Sequence, residues 1–127
     1  MSRNNTWVFA AGMLVPLLGI GLHLHIASKA EGGWSAFTFG LLAWSTLPYV
    51  LCLVLASVGR RPLHAVVAAL CCLGLDIVTY RSVFVSPSSS TAALGLLFSP
   101  LANLLVMAPL GFLATALIVR LRRAKTQ

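Results

Sequence analysis

The chain has 127 residues, of which 59% are hydrophobic and only 9% charged, and its mean hydropathy is +0.96. A soluble domain of this size needs a polar surface that such a composition does not supply, which excludes soluble enzymes and soluble binding modules. The net charge of +7 would suit nucleic acid, but the basic residues cluster at the ends of apolar runs with no aromatic-interleaved basic surface, so no nucleic-acid partner is expected.

Four apolar segments follow one another, residues 7–28, 35–58, 63–85 and 93–119. Each reaches the roughly 20 residues that a helix needs to cross about 30 Å of hydrocarbon. The reading is an all-α integral membrane protein, a four-transmembrane-helix bundle forming a single domain over residues 1–127, because the links are too short to fold separately. Arg3 precedes the first span, Arg60 and Arg61 lie between the second and third, and Arg120, Arg122, Arg123 and Lys125 follow the fourth. The opposite links hold only Lys29 with Glu31, and the uncharged stretch 86–91. This positive-inside bias predicts cytoplasmic N- and C-termini in a cell membrane, the inner membrane in a bacterium. The basic tail then also attracts anionic headgroups of the lipid bilayer.

In the first span Gly12, Pro16, Gly19 and His23 recur at helical spacing, predicting a narrow packing stripe on which Gly12 and Gly19 admit a neighbouring helix. Pro16 removes a backbone donor, a change membrane helices tolerate when neighbours satisfy the freed carbonyl. Arg3, the apolar run and Ser28-Lys29-Ala30 resemble a secretory signal. The run is nevertheless longer than the roughly 7–15 residues of a signal core, and it contains His23 and His25, so an uncleaved spanning helix is expected. Two residues apart on a helix, those histidines diverge by about 200°. No further His or Cys lies at their depth, His64 being at the other face, so neither a metal nor haem or another cofactor is expected.

The second span gathers Thr38, Ser45, Tyr49, Cys52 and Ala56 on one stripe beside Pro48, a pattern for interhelical hydrogen bonds worth about 0.6 kcal/mol per pair. Trp7 and Trp34 read as interfacial belt residues on opposite sides. Pro62, after Arg61, is placed to open the third helix. Along it Ala65, Ala69, Cys72, Asp76 and Tyr80 share one face, and Ala65/Ala69 and Ala68/Cys72 have the small-xxx-small spacing of close helix contacts. Asp76 is the one carboxylate inside a span. At that depth it costs about 2.5–3.5 kcal/mol, so it must face protein or water. Tyr80, four residues on, is its expected hydroxyl donor, while Arg81 falls off the stripe and snorkels. Cys52, Cys71 and Cys72 form no outward CxxC pair and read as packing residues.

In the fourth segment Ser99-Pro100 reads as a helix N-cap followed by proline at the first helical position. The spanning helix would then start near Leu101 and leave residues 92–98 as an interfacial or re-entrant turn, the alternative being one continuous kinked helix. Asn103, one turn below Ser99, is the expected neutral partner of Asp76. Aligning depths places Asp76, Asn103 and Ser45 in a mid-membrane polar layer, with His23, Tyr80 and Ser99 one turn further out. The absence of a catalytic set and of soluble domains points to a non-enzymatic accessory or regulatory subunit that binds another membrane protein or component. The alternative is a proton- or ion-linked small carrier or channel, working as a homo-oligomer through Asp76. An enzyme built on His23, Asp76 and Ser99 has no nucleophile motif behind it.

Overall fold

A computed structural model describes residues 3–29, 34–59, 61–86 and 94–124. Among them every regular element is helical: α1 (Arg3–Ser28), α2 (Ala36–Ser57), α3 (Pro62–Tyr80), α4 (Leu94–Ala102) and α5 (Ala108–Ala124). A π-helical turn, Arg81–Val85, prolongs α3, and a second, Asn103–Met107, joins α4 to α5. Four stretches are long and apolar enough to cross a membrane, Thr6–Ser28, Ala36–Ser57, Pro62–Val85 and Leu94–Leu121. Helices are what such a sequence must form in hydrocarbon, because only they satisfy the backbone within one segment. Local signals mark two of the starts. Ser35 caps α2 by accepting the Thr38 N–H at 3.2 Å, and Pro62 opens α3 without losing a bond.

Contacts between helices fix the topology. Gly12 of α1 faces Pro62 at the start of α3, and His23 near the end of α1 reaches Asp76 near the end of α3, so these two helices run parallel. Tyr49 of α2 fills the space beside Gly19, and Gly111 of α5 sits on Ala68, so α2 and α5 run the other way. The result is an up-down-up-down bundle. Its upper end carries the α1–α2 and α3–α4 links, and its lower end carries the α2–α3 link, the start of α1 and the end of α5.

The interior is made of small residues. Cys52, Ala56, Ala65, Ala68, Ala69 and Cys72 are buried with Tyr49, while Leu14, Leu18, Leu70, Leu105 and Leu117 point outward. This inverts the arrangement of a soluble bundle and suits a lipid surround, where close backbone approach and not burial of large apolar groups drives association. Gly12, Gly19 and the predicted Ala65 and Ala69 are all buried. Gly111 belongs with them, since a Cβ there would lie 2.5 Å from the Ala68 Cα.

The expected helix start at Ser99-Pro100 is corrected. Both residues are buried inside α4, which runs unbroken from Leu94 to Ala102, so residues 94–98 form no re-entrant turn. Further along the same span the bonding shifts, the Ala108 N–H meeting the Asn103 carbonyl just before Pro109. Such local π adjustments allow proline inside membrane helices. Residues 30–33, 60 and 87–93 and the tail from Lys125 lie outside the described residues. With them go Ala30 of the cleavage-like motif, Glu31, Arg60 and most of the serine-rich stretch.

Candidate functional site

Asp76 is 2% exposed and receives a side chain from each of the other three spans. Its Oδ2 accepts the Tyr49 hydroxyl of α2 at 2.5 Å and lies 3.0 Å from His23 Nε2 of α1. Its Oδ1 accepts the Asn103 Nδ2 at 2.9 Å from the turn joining α4 to α5. Both neutral partners donate, which is the arrangement of a carboxylate accepting at both oxygens, and hydrogen bonds to an ionised acceptor are about twice as strong as neutral ones. With Asp76 as acceptor, the ring nitrogen facing it carries a hydrogen, which assigns the Nε2–H form to His23.

Local sequence explains how these groups converge. His23 lies on the stripe of Gly12, Pro16 and Gly19, and Tyr49 on that of Ser45 and Cys52, so both helices turn these faces inward. Gly19 is the permissive residue. A Cβ there would overlap the Tyr49 ring, so only glycine lets that ring pass α1 and bring its hydroxyl to Asp76. The rings of His23 and Tyr49 then lie 5.7 Å apart at 53°. Asn103 is 0% exposed, and its Oδ1 has no hydrogen-bond partner among the described residues. It opens the π-helical turn Asn103–Met107, and such turns recur at functional sites.

Two hollows flank this layer. Above it a cavity of about 280 Å³ lies between α1 and α2, with Phe84 and Leu96 closing the far side. His23 and Ser45 lie deep in it, Ser35 and Thr38 line it nearer the upper end, and Phe37, Leu41 and Leu42 supply apolar wall. Below the layer a groove of about 350 Å³ runs between α2 and the last span, bounded by Leu51, Cys52, Leu55, Leu104 and Phe112. Its lining is apolar, whereas the upper cavity ends on a titratable ring.

The predicted residues divide. His23, Asp76 and Asn103 come together directly. Ser45 does not join them: its hydroxyl donates to the Leu41 carbonyl of its own helix at 2.7 Å, one turn above Tyr49. Tyr80 does not donate to Asp76. Its ring lies 5.1 Å from Phe84, and the hydroxyl comes instead from Tyr49, because the short carboxylate side chain projects across the bundle and not along α3. Ser99 is buried one turn above Asn103 with no hydrogen bond to His23 or Asp76. The residue that sequence reasoning left out of the layer is Tyr49. Its stripe was correct, and the axial register of α2 against α3 was displaced, as was that of α1, since His23, expected one turn further out, meets Asp76 directly. Among the described residues no group of three or more His, Cys, Asp or Glu is placed to hold a metal ion. His25 is exposed on the far side from His23.

Set against family models, curated proteins and solved structures, the chain matches none, so the site is interpreted from its own geometry.

Proposed function

We propose that this chain is a small non-enzymatic membrane protein whose upper cavity binds a small ligand, with binding linked to protonation of the His23–Asp76 pair. The observation that carries the reading is the position of His23. The same ring lines an open cavity and hydrogen-bonds a carboxylate buried among all four spans. A carboxylate whose only task was to join helices would need no access, whereas a coupled carrier needs a proton site within reach of its substrate site. The positive-inside bias puts the lower end in the cytoplasm and the cavity outside. The cavity is lined by residues of one chain, so the reading asks for no second copy to form it.

The test is infrared difference spectroscopy on protein in nanodiscs across a pH series. A carboxylate or imidazole band that titrates in the wild type and vanishes in Asp76→Asn and His23→Gln is the expected result. A spectrum with no titrating side-chain band from these residues would reduce the layer to helix packing. The reading as a subunit that binds another membrane protein draws on one separate feature, the apolar groove between α2 and the last span. A bulky substitution there, Leu51→Trp, would release a co-purifying protein while leaving the pH-dependent spectrum intact.

A further inference from the structure

Hydrogen-bond donors deep in the upper cavity are already committed. Ser45 gives its hydrogen to the Leu41 carbonyl, leaving lone pairs. With Asp76 as the acceptor, His23 gives its Nε2 hydrogen to the carboxylate, and Nδ1 is the nitrogen left on a ring that lines the cavity. The deep polar end of this cavity therefore accepts, below the Ser35 and Thr38 hydroxyls, which lie 3.0 Å apart nearer the upper end. Above it, the exposed rings of Phe37 and Phe84 offer aromatic surface.

Charge sharpens this. With Asp76 ionised and His23 neutral, the layer holds one net negative charge in a low-dielectric interior, where an uncompensated charge is costly. Among the described residues, the groups packed about the pair are Tyr49 and Cys52 from α2, Cys72 from α3 and the neutral Asn103 from the last span, none of them a cation. Lys29 and Arg81 are exposed, and neither lines the cavity. Compensation can come from a proton on Nδ1 or from a cation against it. One lone pair on Nδ1 cannot serve both.

We infer that the upper cavity is a site for a small organic ammonium ion, a protonated amine on an apolar body, and that its binding displaces the proton held by the His23–Asp76 pair. The inference rests on the proton-linked reading above and adds the chemistry of the ligand. The ammonium N–H donates to His23 Nδ1 and to Ser45, the apolar body lies along Leu41 and Leu42, and the Phe37 and Phe84 faces favour the positive charge. The exchange balances: the ammonium enters with its own hydrogens, and the proton on Nδ1 leaves to water. An anion would instead add to the negative charge of the layer.

The experiment uses the full chain in nanodiscs and three matched probes, phenethylammonium, 2-phenylethanol and phenylacetate. Binding is read by equilibrium dialysis, and proton release by a pH dye in weak buffer. The ammonium is expected to bind at least about tenfold more tightly than either isostere, to release one proton per molecule bound, and to weaken about tenfold per unit fall in pH where the pair is protonated. His23→Gln should lose the proton release. Because the pH competition is measured on the wild-type chain, the result does not depend on that variant folding. Equal or tighter binding of phenylacetate, ammonium binding without proton release, or the same proton release by sodium chloride alone would overturn the ligand class. If the infrared bands of the pair titrate and the ammonium shows no preference, the ligand assignment falls and the proton-linked reading stands; if the bands do not titrate, both fall.

Discussion

Below the Asp76 layer, α3 packs against its neighbours through the small residues Gly12, Ala65, Ala68 and Gly111. At and above the layer the helices are joined by His23, Tyr49, Asp76 and Asn103, and by the Trp44 indole donating to the Leu97 carbonyl at 3.2 Å. The lower half is held by steric fit, which has one arrangement. The upper half is held by polar groups. A base set by steric fit beneath a polar top suits the proposed proton-linked site, which must alter its contacts without unfolding the bundle.

Substitutions can break this contrast, in descending order of effect. Asp76→Leu strands three buried polar partners at once and should cost about 3–5 kcal/mol, read as a lower unfolding temperature in mild detergent. A variant as stable as the wild type would mean that the layer does not hold the upper half together. Gly111→Ala drives a Cβ to within 2.5 Å of the Ala68 backbone, and the helices must separate, for about 3 kcal/mol. Little change there would show that the lower half is as adaptable as the upper.

Asp76→Asn keeps size and hydrogen-bonding capacity but turns an amide donor toward partners that also donate. About 1–2 kcal/mol is expected, with the fold retained by circular dichroism and the titrating infrared band gone. Retained titration at His23 in that variant would move the proton site off the carboxylate. Gly74→Ala is the control: nothing lies within 4 Å of the added methyl, and the helix should change by no more than about 1 kcal/mol, in the stabilising direction. Destabilisation there would reveal a contact on the outer face of α3, as a bound partner would supply.

Much of the angular arrangement was legible in the sequence. The stripes of Gly12, Pro16, Gly19 and His23, of Thr38, Ser45, Tyr49, Cys52 and Ala56, and of Ala65, Ala69, Cys72 and Asp76 are the buried faces. Gly111 carries no such signal, because a lone glycine in a long apolar run looks the same whether it faces outward, as Gly74 does, or a neighbouring backbone. Ser99-Pro100 misled for a related reason. The chemistry that suits a helix start also fits inside a membrane helix, as it does within Leu94–Ala102, where neighbours can satisfy the backbone that proline frees.

By itself, then, the sequence determined the helical class, the number of apolar spans, and the inward face of the first three, since composition and a 3.6-residue period act through local geometry. Depth was decided only by the tertiary structure. Periodicity states where a side chain points around its axis and is silent on how far two helices slide past each other, and one turn is about 5.4 Å. That single turn put Tyr49 against Asp76 and left Ser45 in the cavity. The space Gly19 leaves for the Tyr49 ring belongs to that packing, which no stretch of sequence contains on its own.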